Sequence, residues 1–269
     1  MRRLLIRPGA IGDCILSFPA LEYLVTDYTE IWAPSPVLPL IQFADSVHSL
    51  ASTQIDLLGI PGVEASRTLK ARLQSFDSLV SWFGANRIEF REALLSTNPN
   101  CIFHTALPPD FSLHATDFYA LQVGAPLGLT PRIRVEKVEP RKSIAIHPFS
   151  GSKRKNWPLE RYRELARLLQ CEIDWLAGPE EELPGARRFE NLADLAAFIA
   201  GARLYIGNDS GITHLAAAVG VKTLAIFGPS SPTIWVPRGP NVEVVAVNDL
   251  ADLCSQVLAL TANRLLDSR

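Results

Sequence analysis

The chain has 269 residues, 48% of them hydrophobic and 20% charged, with a formal net charge of -2 and an isoelectric point near 6.2. That profile is an ordinary globular one and offers no broad basic field for nucleic acid, so any anion must be bound by local charge. No uncharged apolar stretch approaches the roughly 20 residues of a membrane span, because Lys222 splits the longest candidate.

The opening MRRLLIRPGAIGD begins like a signal peptide, but Arg7, Pro8 and Asp13 interrupt the apolar run and no small-residue cleavage site follows. It reads as a first strand over 4–7, followed by a helix over 14–26, a short strand at 31–32 and strands at 78–82 and 101–104. Such alternation predicts a parallel sheet covered by helices. Between 126 and 142 the composition changes to PLGLTPRIRVEKVEPRK, with three prolines and mixed charge. This stretch predicts a linker between an N-terminal domain, 1–125, and a C-terminal domain, 143–269.

After the linker, strands are expected at 143–147, 172–176, 204–206 and 223–227. Helices are expected at 159–170, 192–202 and up to 219, and an amphipathic helix over 250–266 that packs back across both halves. Two α/β domains of this kind place ligands in a cleft at the carboxyl ends of their strands. Cys14, Cys101, Cys171 and Cys254 are far apart and lack metal-ligand spacing, so they read as reduced core thiols. The five histidines show no HxH or HExxH pattern, which makes structural histidines the default reading and no metal site the expectation. The chain reads as cytoplasmic, with membrane contact limited to a peripheral one.

Four segments could carry chemistry. Gly9 and Gly12 flank a strand-to-helix turn, where backbone can approach a ligand and Asp13 sits at the edge; a plain helix cap explains Asp13 equally well. HPFSGSKRKNWP, from His147 to Pro158, combines hydroxyls and a glycine, Ser150 and Gly151, with three cations ending at Lys155. That mixture suits a diphosphate, although a solvated basic loop looks the same and the Walker pattern is absent. Glu180, Glu181 and Glu182 follow a strand, where a carboxylate can hold ribose hydroxyls or form a solvated turn. Finally, GNDSGITH ends one strand and opens a helix. Asp209 or Ser210 can cap it, Gly211 permits close approach, and His214 lies one turn in.

GAIGDCILSFPAL (9–21), HATDFYALQVGAPLG (114–128), HPFSGSKRKNWPLERYREL (147–165) and GNDSGITHLAAAVGVKTLAIFGPSSP (207–232) together resemble bacterial glycosyltransferase family 9, the ADP-heptose:lipopolysaccharide heptosyltransferases of the GT-B fold. The resemblance covers most of the chain in order and is strongest in its second half. It implies two Rossmann-like domains facing across a cleft. It also implies inverting, metal-independent transfer of a sugar from a nucleotide-diphosphate sugar, ADP-heptose, to a hydroxyl of an envelope glycan or glycolipid, with no cofactor and no nucleic acid. On this reading Asp13 is the general base, and Gly9 and Gly12 belong to the acceptor-side loop. Ser150, Gly151, Lys155, Asp209, Ser210, Gly211 and His214 bind the donor diphosphate, and Glu181 is taken as the ribose contact. A non-catalytic sugar-nucleotide-binding regulator and a GT-B-like epimerase are the alternative readings.

Overall fold

The computed structural model describes residues 1–110, 113–136 and 138–267. The chain divides into two compact units at Leu129 and Thr130, inside the proline-rich stretch. Among the described residues each unit carries a five-stranded sheet in which the paired strands run parallel. No helix among them is long and apolar enough to cross a membrane.

The first unit runs β1 (Arg2–Ile6), α1 (Ile11–Tyr23), β2 (Tyr28–Ala33), β3 (Ser46–Ser49), α2 (Leu50–Thr53), α3 (Arg67–Gln74), β4 (Ser78–Ser81), α4 (Ile88–Thr97), β5 (Cys101–Phe103) and α5 (Ala115–Val123). Its strand order is β3-β2-β1-β4-β5. The chain winds one way from β1 and returns on the other side with β4, so the order reverses between β1 and β4. Ligands of open α/β sheets bind at such a reversal, outside the carboxyl ends of the strands. The loop after β1, which carries Gly9, and the first turn of α1, which carries Asp13, lie there. Leu4, Ile6, Trp32, Leu69, Leu73, Leu79, Phe90 and Leu94 form a core on one face of this sheet.

That core also holds a charge. Glu30, 4% exposed, accepts from the Trp32 indole at 2.6 Å and from Arg72 at 2.6 Å. Removing one partner of a buried pair leaves the other without compensation. Arg72→Met is therefore expected to destabilise the protein by about 1–3 kcal/mol, the lower range reflecting the indole that remains. Urea unfolding measures it, and an unchanged midpoint would show that Glu30 is satisfied without Arg72.

The second unit runs β6 (Ile144–His147), α6 (Leu159–Leu169), β7 (Ile173–Trp175), α7 (Leu192–Ala200), β8 (Leu204–Asn208), α8 (Gly211–Val219), β9 (Thr223–Phe227), α9 (Pro232–Trp235), β10 (Val242–Ala246) and α10 (Ser255–Asp267). Its order is β10-β9-β8-β6-β7, which places the reversal between β6 and β8. The two motif loops of this half, after His147 and after Asn208, leave those two strands side by side. Ser210 caps α8 by accepting from the Thr213 amide, and Gly220 closes it with φ +87°. Ala216, Ala217 and Ala218 are buried, which lets the helix lie close to the sheet.

The single helix expected over 250–266 is two elements. Asp249 accepts from the Ala251 amide and starts a 3-10 turn over Leu250–Asp252. Leu253 is then extended, its carbonyl receiving the Trp157 indole at 3.2 Å, and α10 begins at Ser255. The buried face of α10, Leu258, Ala259 and Ala262, joins Tyr162, Leu165 and Leu169 of α6 in the core of this unit.

Candidate functional site

The loop after β6 is pinned before it presents its cations. Asn208, fully buried at the end of β8, accepts from the Trp157 amide at 3.0 Å and the Tyr162 hydroxyl at 2.9 Å, and donates to the Pro148 carbonyl at 2.8 Å. One side chain thus ties both ends of the 148–157 loop and the start of α6 to the same strand end. Trp157 packs edge-on against Tyr162, with centroids 4.8 Å apart. Within the loop, Ser150 closes a tight turn by donating to the Ser152 carbonyl and accepting from its amide. Gly151 is exposed, has negative φ, and a Cβ there would meet nothing within 4 Å, so nothing in the fold requires a glycine at this position.

Lys155, at the end of a short 3-10 turn, reaches Asp209 with Nζ 2.7 Å from Oδ2. Ser230, from the loop after β9, donates to the same oxygen, and His214 Nε2 lies 3.8 Å from Oδ1. Burial raises the Asp209 pKa, but the nearby His214, the hydrogen bonds from Lys155 and Ser230 and the lysine charge outweigh it and hold the group at about 2. Asp209 is therefore ionised at neutral pH, and its role in the free protein is to hold Lys155 and Ser230, with His214 close by, around the first turn of α8. His214 is itself 5% exposed, and its Nδ1 is buried without a hydrogen-bond partner.

Gly207 is not part of this constellation. A Cβ there would stand 2.5 Å from the Tyr205 hydroxyl and 2.9 Å from Thr213 Oγ1, so packing accounts for it. Of the three glutamates, Glu180 and Glu182 are exposed, whereas Glu181 turns inward. Its Oε2 lies 2.9 Å from His147 Nε2 and accepts the Gly178 amide at 2.6 Å. Burial would raise the Glu181 pKa, yet these hydrogen bonds hold it below the usual carboxylate value.

In the first unit, Asp13 stands third in α1, not at the cap of a helix beginning at 14. The helix starts at Ile11 behind Ala10, and the Asp13 carboxylate reaches back to accept the Ala10 amide at 3.1 Å. Gly9 has φ +128°, a conformation that favours glycine, and a Cβ there would stand 3.1 Å from Asp13 Cβ. Gly12 is buried in the first turn.

Sequence reasoning missed the residue that sets this turn. Arg7 is fully buried, donates to Ser17 Oγ at 2.8 Å, the Asp13 carbonyl at 2.9 Å and the Ala106 carbonyl at 3.1 Å, and lies over the Tyr119 ring at 4.5 Å. It fixes the backbone that carries Asp13. Burial pushes the neighbouring Cys14 thiol up to about 11, so it stays protonated and does not compete as a nucleophile.

The structure thus joins Lys155, Asp209 and His214, with Ser230 added, and separately joins Glu181 to His147. Ser210 and Gly211 open α8 beside the first group. Among the described residues no three of His, Cys, Asp and Glu gather so as to hold a metal ion. The arrangement defines an α/β protein whose β6/β8 reversal brings together an ammonium paired with a carboxylate on a pinned loop and the N-terminus of α8, with an inward carboxylate in the loop after β7.

The sequence profile described as glycosyltransferase family 9 (heptosyltransferase) matches residues 110–258. The chain belongs to that family. It is 39% identical over 94 residues to lipopolysaccharide heptosyltransferase 1 of Pseudomonas aeruginosa and 29% identical over 123 residues to that of Escherichia coli K12. These stretches cover 29% and 37% of this chain, and only 26% and 38% of those relatives. Among solved structures, E. coli ADP-heptose lps heptosyltransferase II aligns with a TM-score of 0.73 at 19% identity, covering 99% of this chain and 98% of that one. An E. coli heptosyltransferase solved with ADP gives 0.69 at 16%, covering 98% and 100%. At these identities the likeness is one of fold, and it agrees with two Rossmann-like parallel sheets of the GT-B class.

Proposed function

We propose that the chain is an inverting, metal-independent glycosyltransferase that moves heptose from ADP-heptose to a hydroxyl of a cell-envelope glycan such as the lipopolysaccharide core. The observation that carries this reading is Lys155 held by Asp209 beside the N-terminus of α8. A diphosphate placed there meets the ammonium, the α8 amides behind Ser210 and the turn of Ser150 and Gly151. The family profile and the solved heptosyltransferase bound to ADP support the choice of donor.

The chemistry follows from these residues. The acceptor hydroxyl gives its proton to the Asp13 carboxylate as its oxygen forms a bond to the anomeric carbon, and such a positioned base contributes about 10²–10⁴-fold. The bond from that carbon to the phosphate oxygen breaks, and the electron pair leaves with ADP. Lys155 and the helix amides stabilise the growing charge. With one displacement and no nucleophilic side chain, the configuration inverts. The protein would act at the cytoplasmic face of the membrane, where donor and glycolipid meet.

The position of Asp13 also favours the non-catalytic reading in one respect, since its bond to the Ala10 amide would preserve it as a helix-start residue without any reaction. Calorimetric titration with ADP, UDP and GDP in EDTA tests the donor assignment. ADP is expected to bind selectively. Selective UDP or GDP binding would replace the donor, and binding of none of the three would overturn the donor site.

A further inference from the structure

The proposed site leaves one buried side chain without a task. His147 ends β6, is 5% exposed, packs edge-on to Phe149 and points Nε2 at Glu181 Oε2. A carboxylate oxygen has two acceptor positions. On Oε2 both are used, one by His147 and one by the Gly178 amide, which donates to the same atom. Oε1 has no hydrogen-bond partner among the described residues.

The clamp is built into the backbone. Gly178 lies against the carboxylate so closely that a Cβ there would stand 3.3 Å from Oε2 and 3.4 Å from Cδ. The Glu181 carbonyl receives the Arg188 guanidinium, and the 176–187 loop is stitched to the sheet by Leu176 to Ile146 at 2.8 Å and Arg187 to Trp175 at 2.8 Å. Since Oε2 is an acceptor only, Nε2 carries a proton. Nδ1 is buried without a partner, and a buried donor left unmade is costly, so it is best left as a bare acceptor.

We propose that His147 sets the ribose selectivity of the donor site: by saturating Oε2 together with Gly178, it leaves Glu181 Oε1 as the single acceptor for the vicinal hydroxyls of a ribonucleoside diphosphate. The inference rests on the reading that this unit binds such a nucleotide. His147 is a positioning residue, since it acts through Glu181. Removing it leaves Gly178 as the remaining donor to Oε2 and opens the second acceptor position of that oxygen, so affinity for the diphosphate end stays while discrimination at the ribose falls away.

The test compares ADP, 2′-deoxy-ADP and inorganic pyrophosphate by calorimetry on the full chain. The unaltered protein is expected to prefer ADP over 2′-deoxy-ADP roughly tenfold, the range of a hydrogen bond to a charged group. His147→Phe, which keeps the ring and loses the donor, is expected to bring that ratio within about twofold of unity at unchanged pyrophosphate affinity. His147→Gln, whose amide reaches where Nε2 lies, is expected to restore the preference. A wild-type ratio in His147→Phe overturns the proposal. Nitrogen-15 NMR of the unaltered protein decides the matter independently of either variant's folding: a proton on Nε2 of His147 is expected, and a neutral ring protonated on Nδ1 overturns the clamp. Failure of the unaltered protein to bind either ADP or pyrophosphate would fall on the donor site itself, and the NMR result would still judge the clamp.

Discussion

Lys155→Met is expected to weaken nucleoside diphosphate binding by roughly 10- to 100-fold, the value of a charge-assisted hydrogen bond expressed as affinity. The same change removes the cation from Asp209, a carboxylate with 5% exposure. Stability at neutral pH should fall by about 1–2 kcal/mol; the loss is smaller than for a wholly orphaned charge, because Ser230 still donates. The pH dependence has a definite sign. Asp209 is held at about 2 against an ordinary 3.8, so its folded value lies below its unfolded one. Such a group adds stability above the unfolded value and loses it as pH falls through the folded one. About 2 kcal/mol present above pH ~4 should therefore vanish between pH ~4 and ~2. Urea unfolding at neutral pH and in steps down to about pH 2 should show that loss in the unaltered protein and none of it in Asp209→Asn. Unchanged ADP affinity in Lys155→Met would remove the lysine from the donor site, and parallel profiles for Asp209→Asn would remove the charge network.

Asp13→Asn separates the two roles open to Asp13. Asparagine keeps an oxygen that can accept the Ala10 amide, so the start of α1 and the fold should survive, with a change in stability of about 0.5 kcal/mol or less. What it removes is the basic carboxylate. Transfer should fall by about 10²–10⁴-fold, the usual contribution of a positioned base. ADP affinity should stay unchanged, because Lys155, Asp209 and α8 belong to the other unit. Steady-state kinetics beside calorimetry measures both. A variant that transfers at the unaltered rate would leave Asp13 as a helix-start residue only.

The elements that positioned the site were legible where the signal was local. β8, α8 and β9 follow from two apolar runs around a capped corner and a run of alanines, and the structure places them within a residue or two of that reading. Of the four edge strands, β5 and β7 were read within a residue or two, but β3 and β10 were not legible. β3 is SVHS and β10 is VEVVA, both only partly buried, so neither shows the continuous apolar run of a central parallel strand. The start of α1 was misplaced by three residues, because Ala10 offers no side-chain cap to mark it.

The site itself divides in the same way. Lys155 and the Asp209 to His214 corner could be named from spacing and resemblance. Ser230 and His147 could not be assigned a contact, since each meets its partner only because of the strand order β9-β8-β6-β7. Glu181 stands out from its two neighbours through the Gly178 turn, a backbone feature that side-chain identity does not report. Arg7 looked like an interruption of an apolar run, and its value lies in three contacts spread from Asp13 to Ala106.

The most direct measurement of the central claim is to incubate the protein and its Asp13→Asn variant with ADP-heptose and a heptose-free lipopolysaccharide core acceptor in EDTA, following ADP release and the mass of the acceptor. The unaltered protein is expected to release ADP in step with a gain in acceptor mass, and the variant to do neither. ADP-heptose that binds without any transfer to the acceptor would contradict the claim.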